Sequence, residues 1–102
     1  MMKTMTDEEY KTVVENTEKP IVLQFSADWW PACRQLRPVV SKVAEEETDI
    51  DIYYVDVDQS PDLAGQFGIM SIPTLVLIKN GQEVNRSTGF VPEGKVKEFI
   101  HS

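Results

Sequence analysis

The stretch FSADWWPACRQLRP, Phe25–Pro38, decides how this chain is to be read. The apolar run Ile21–Phe25 leads into it and a helical pattern leaves it, so it lies at a strand-to-helix turn. It carries two adjacent tryptophans, Trp29 and Trp30, then Pro31, then Cys33, the only cysteine of the chain. Aromatic rings and a thiol at such a turn suggest a reactive site. A lone thiol, however, has no second thiol in its own chain with which to close a disulfide.

Outward from this stretch the periodicities are regular. Ile21–Phe25 is apolar except for Gln24, the pattern of a strand buried on both faces. From Ala32 onward Leu36, Val39, Val40, Val43 and Ala44 recur at helical spacing, with Pro38 inside the helix, where it removes a backbone donor and is expected to kink the axis. Upstream, Thr6-Asp7-Glu8-Glu9 reads as a capping box that opens a helix with Tyr10, Val13 and Val14 on its apolar side. Downstream, Ile52–Val57 reads as a strand, and Ser60-Pro61-Asp62 as a cap residue followed by proline at the first helical position. Thr74–Lys79 and Glu83–Thr88 are strands on either side of Asn80-Gly81, a hairpin turn signal. Pro92 starts a last helix that turns Val96, Phe99 and Ile100 inward. The order is αβαβαββα, with room for a short strand before Thr6. Strands joined through helices imply parallel pairing, and the final hairpin adds antiparallel strands.

Composition narrows the classes of function. The chain has 102 residues, enough for one domain, residues 1–102, and one core. Its net charge of −7 argues against a general nucleic-acid binder and against an anionic membrane surface as partner. The longest apolar run, Thr74–Ile78, is far too short to span a bilayer. The opening residues MMKTMTDEEY lack the apolar stretch of a secretory signal, so a cytoplasmic location is the default expectation. One cysteine excludes a cysteine-ligated zinc site within the chain, and no phosphate loop or metal-spaced histidine cluster is present, so no metal and no cofactor is expected. His101 reads as exposed tail and EEETDID, Glu45–Asp51, as a solvated helix end and loop.

Four stretches together resemble the thioredoxin family across nearly the whole chain. FSADWWPAC is similar to its active-site segment, in which a strand ending in phenylalanine leads into Trp-Cys-Gly-Pro-Cys. VDVDQSPDLAGQFGIMSIPTL, Val55–Leu75, resembles the family's third strand, third helix and Ile-Pro-Thr loop. KNG at Lys79–Gly81 and STGF at Ser87–Phe90 follow in the right order. The resemblance implies an α/β thioredoxin fold, a central mixed sheet of four to five strands flanked by four helices, with a cis bond between Ile72 and Pro73. It also implies protein or peptide clients held along a groove. The matching positions are Trp29, Trp30, Pro31, Ile72, Pro73 and Gly89, where backbone beside the proline pairs with an extended peptide.

The departures from the family pattern bear on function more than the matches do. By the resemblance, Trp30 stands where the nucleophilic cysteine belongs, and Cys33 holds the resolving position. Gln24 replaces a buried aspartate that assists proton transfer, and Tyr54 replaces a lysine near it. Thiol–disulfide exchange needs a thiolate that attacks and a second thiol that releases the product. Trp30 ionises at no accessible pH and cannot attack. Cys33, one turn into the helix and under the surface by the resemblance, reads as a small buried hydrophobe. Gln24 reads as a satisfied core amide and Tyr54 as a packing residue.

At this level three readings stay open, and with them whether the chain is an enzyme. The first is a thioredoxin-family protein without dithiol–disulfide oxidoreductase activity that keeps a peptide-binding surface. The second is a monothiol oxidoreductase acting through Cys33. The third is an inactivated variant of an active thiol–disulfide oxidoreductase involved in cell redox homeostasis; Gln24 and Tyr54 weigh against this as the whole explanation. The first is favoured. A weak homodimer through the same patch also fits.

Overall fold

A computed structural model of the chain describes residues 2–102. In chain order the elements are β1 (Lys3–Thr4), α1 (Asp7–Glu15), β2 (Ile21–Ser26), α2 (Pro31–Glu46), β3 (Asp51–Asp56), α3 (Pro61–Gln66), β4 (Thr74–Lys79), β5 (Gln82–Thr88) and α4 (Glu93–Ile100). The five strands form one mixed sheet in the order β1-β3-β2-β4-β5. β2 lies parallel to β3, from Ile21↔Asp51 to Ser26↔Asp56, and antiparallel to β4, from Ile21↔Ile78 to Phe25↔Thr74.

All six residues of β2 are buried, as its unbroken apolar character requires. Successive side chains point to opposite faces, so β2 feeds two cores. Ile21, Leu23 and Phe25 pack with Met5, Val55, Leu63, Val76 and Ile78, and Tyr10, Val13 and Val14 of α1 close over them. Val22 packs on the other face with Leu36, Val40 and Val43 of α2 and Val96, Phe99 and Ile100 of α4. Each fully buried aliphatic or aromatic side chain contributes about 1.5–3 kcal/mol relative to exposure. Helices therefore cover both faces, α1 and α3 on one side and α2 and α4 on the other.

The turns follow their residues. Asn80 and Gly81 both take positive φ, 53° and 78°, as a two-residue hairpin needs. α3 ends on Gly68 at φ 59°, where Gly68 N–H donates to Gly65 O at 3.1 Å and Ile69 N–H to Ala64 O at 2.9 Å. That paired closure satisfies the last carbonyls and turns Ile69 back onto the core. α2 runs without a break through Pro38. Among the described residues no helix is long and apolar enough to cross a membrane.

Two expected helix caps form differently. Thr6 does not complete a capping box: its hydroxyl donates to Glu9 Oε1 at 2.7 Å instead of accepting from the backbone. Ser60 does not cap α3 either. Its backbone stands at φ −126°, ψ 62°, and its buried hydroxyl is directed to Met5 O at 3.5 Å. The free N–H groups of α3 are taken by a residue far upstream. Asp7 accepts from Leu63 N at 2.8 Å and from Asp62 N at 3.4 Å.

A six-residue helix has little stability of its own, so this borrowed cap matters. We expect Asp7→Ala to lower unfolding free energy by about 1 kcal/mol in urea titration, with Asp7→Asn losing less. Equal stability of Asp7→Ala and wild type would show that α3 needs no such tie.

Candidate functional site

β2, the central strand, ends at Ser26, and Ala27 is the last buried residue before the turn. Asp28, Trp29 and Trp30 make the turn, closed by Trp30 N–H donating to Ala27 O at 3.1 Å. Trp30 is the N-cap of α2, with φ −96° and ψ 127°, and its carbonyl accepts the first helical bond from Arg34 N at 3.1 Å. An indole offers no acceptor to the free N–H groups of a helix, so no side chain caps α2 at this position. Pro31 follows at the first helical position, where its missing N–H costs nothing.

Both indoles remain accessible, Trp29 at 62% and Trp30 at 46%, in an edge-to-face pair with ring centres 6.1 Å apart. Trp29 is fixed by its ring N–H, which donates to Asp58 Oδ2 at 2.7 Å. With Ser71 and Ile72 the two rings line a shallow apolar groove of about 260 Å³. The Ile72–Pro73 bond is cis, and Pro73 is buried behind the groove. Gly89, at φ 90°, donates its N–H to Pro73 O at 2.8 Å, which ties the two loops together. Of the positions singled out from sequence, Trp29, Trp30 and Ile72 thus share one groove. Pro73 and Gly89 adjoin it, and the exposed Pro31 stands outside its lining.

Cys33 lies in the first turn of α2, fully buried and unbonded to any other sulfur. On the central strand Gln24 is also fully buried. The expectation of a satisfied amide fails: neither Nε2 nor Oε1 of Gln24 meets a protein partner. Its register explains why. Gln24 sits between Tyr54 and Leu75; Leu75 offers no polar atom, and the Tyr54 hydroxyl is engaged elsewhere.

That engagement is a cluster that sequence reasoning missed. Tyr54 is buried, yet its hydroxyl donates to Asp28 Oδ1 at 2.9 Å. Arg37 Nη1 donates to both carboxylate oxygens of Asp28, at 2.8 and 2.7 Å, and its guanidinium carbon stands 3.9 Å from the centre of the Tyr54 ring. Arg34 adds a bond to Asp28 O at 3.1 Å. Hydrogen bonds from Arg37 and then Tyr54 hold the Asp28 carboxyl below its ordinary range. Burial, and then the bond to Asp28, pushes the Tyr54 hydroxyl up to about 12. The one signal available in sequence was Arg37, four residues after Cys33 and next to the buried stripe of α2. Tyr54 is more than packing: it braces the turn that carries the tryptophans.

A larger hollow of about 310 Å³ lies at the opposite end of α2, among Lys3, Lys19, Glu47 and Asp51. Its charges answer one another, as in Lys19 to Asp51 at 3.8 Å. Among the described residues no three histidine, cysteine or acidic side chains converge to hold a metal ion.

Comparison with known proteins agrees with this architecture. The family model described as Thioredoxin matches residues 1–102. The chain is 39% identical over 97 residues to Thioredoxin 1 of Nostoc sp., covering 94% of this chain and 91% of that one. It is 36% identical over 98 residues to a thioredoxin of Porphyra purpurea, covering 95% and 92% respectively. It is 38% identical over 98 residues to a thioredoxin of Haemophilus influenzae, again covering 95% and 92%.

The Asp28 cluster has a defined pH behaviour. Because folding lowers the Asp28 pKa, its contribution to stability is complete above the usual aspartate range, about 3.9, and is lost as pH falls through the lower folded value. Because folding raises that of Tyr54, its contribution is complete below about 10 and lost as pH climbs toward about 12. In Tyr54→Phe we expect the Asp28 carboxyl, followed by carbon NMR, to titrate at higher pH than in wild type. The phenolate absorbance step near pH 12 should disappear as well. An unmoved Asp28 titration would show that the hydroxyl bond has no influence on the turn.

Proposed function

Because the chain belongs to the thioredoxin family, we propose that it is a member that binds extended protein or peptide clients and performs no dithiol–disulfide exchange. The observation that carries this reading is the N-cap of α2. Trp30 occupies it, exposed at the rim of the groove, while Cys33 is sealed beneath. A helix N-terminus favours a thiolate placed there, but an indole has nothing to ionise. Cys33 has no resolving thiol in the chain, and its burial weighs against the monothiol reading as well. Gln24 in place of an acid fits a site that moves no protons, since an amide does not titrate.

In this reading Trp29 and Trp30 are the apolar anchors, Pro31 and Ile72 flank them, and backbone at Ile72, Pro73 and Gly89 pairs with the client strand. A second copy of the chain is a weaker occupant, because each copy carries a net charge of −7. A cytoplasmic location completes the reading.

Insulin reduction by dithiothreitol should run at the uncatalysed rate with this protein present. Trp30→Cys should create an oxidisable dithiol with Cys33. Thioredoxin-like turnover by the unaltered chain would overturn the loss of exchange activity. Iodoacetamide should label Cys33 slowly in buffer and rapidly in denaturant; fast labelling in buffer would favour the monothiol reading instead. Binding is tested with S-carboxymethylated insulin B chain, an extended peptide whose blocked thiols exclude covalent capture. Replacing both indoles, Trp29→Ala with Trp30→Ala, should weaken it by about 2 kcal/mol or more. Unchanged affinity in that double variant would remove the tryptophans from the interface.

A further inference from the structure

Among the described residues Met70 is the most exposed large apolar one, at 97%, two positions from the groove residue Ile72. Its exposure is held in place from both sides. Ile69 before it is turned inward against the β2 core by the closure of α3, through its N–H bond to Ala64 O at 2.9 Å. Ser71 after it is pinned by its carbonyl, which accepts from Thr74 Oγ1 at 2.8 Å. A loop anchored at both neighbours leaves the intervening side chain pointing into solvent beside an apolar groove. Methionine is suited to such a position: its unbranched, polarisable thioether adapts to varied partners and is enriched at binding surfaces.

The same exposure makes it a target. Thioether oxidation needs access and no ionisation, unlike oxidation of a thiol. Met5 is 1% exposed and Met2 is partly buried against the core, while Cys33 is fully buried. We propose that Met70 is a client contact at the lip of the groove and a reversible oxidation site through which peroxides weaken client binding. The inference rests on the binding function proposed above. In the step, the Met70 sulfur attacks a peroxide oxygen and the O–O bond breaks. Sulfur is oxidised by two electrons to the sulfoxide, and hydrogen peroxide leaves as water. The product carries a strong S–O dipole, which must be stripped of water if the client is to cover it. A thiol reductant acting through a methionine sulfoxide reductase returns two electrons and releases the oxygen as water.

The test uses the full chain and S-carboxymethylated insulin B chain, which has no methionine or tryptophan. Dilute hydrogen peroxide is added, sulfoxide is mapped by peptide mass, and binding is followed through Trp29 and Trp30 fluorescence. Sulfoxide should appear at Met70 before Met5, and affinity should fall about tenfold as it does. Reductase treatment should restore affinity. In Met70→Leu, affinity before and after peroxide should be the same, which separates Met70 from oxidation elsewhere. Faster oxidation at Met5, unchanged affinity with Met70 oxidised, or an equal peroxide response in Met70→Leu would each overturn the inference alone. If the untreated chain does not bind the peptide at all, the client-binding reading falls and this one falls with it.

Discussion

Everything in the structure is arranged around one strand that has no side facing water. β2 is flanked in the sheet by β3 and β4 and covered on both faces, so its backbone groups must be paired and its six side chains packed from within the protein. Neighbouring strands supply the first need. The second forces two helical layers, because β2 projects Val22 one way and Leu23 the other, each into its own core. The strand can end only where the chain reaches the open edge of the fold, and there the tryptophan turn and α2 begin. The position of the groove is therefore a consequence of how β2 is buried.

Four positions around that turn share one character. Trp30 and Gln24 are without ionisable groups, Cys33 is shut away, and Tyr54 holds its proton up to about 12. Charged groups at the turn, Asp28 with Arg37 foremost, make internal bonds that brace it. Such exposed pairs contribute little stability singly, so their value lies in fixing the direction of the chain between β2 and α2. The result is an apolar surface carried on a turn that internal bonds hold in place.

Much of this was legible in the chain because it depended on local pattern. The apolar run of β2, the helical spacing of Leu36, Val40 and Val43, the Asn80-Gly81 turn and the inward face of α4 all follow from residues within a few positions of one another. Of the candidate site, Trp29 and Trp30 stood out by their place at a strand-to-helix turn, and Ile72 and Pro73 only through the resemblance to the thioredoxin family. What stayed hidden was pairing at a distance. Asp7 sits 55 and 56 positions from the N–H groups it caps, and Tyr54 is 26 positions from Asp28. In each case a local candidate, Ser60 as a cap or Tyr54 as packing, was the simpler reading. The unmet bonds of Gln24 depend on which residues the sheet register places beside it, and no local pattern states that.

The tie between Asp7 and α3 has a mechanical meaning. α3 is two turns long, held at its start by a carboxylate from α1 and at its end by the closure around Gly68. A segment clamped at both ends and too short to bend behaves as a strut. At its far end stands the Ile69–Pro73 loop, whose Ser71 and Ile72 line the groove with the two tryptophans. Asp7 thus ties α1 to the helix that leads into that loop, although no residue of α1 lines the groove.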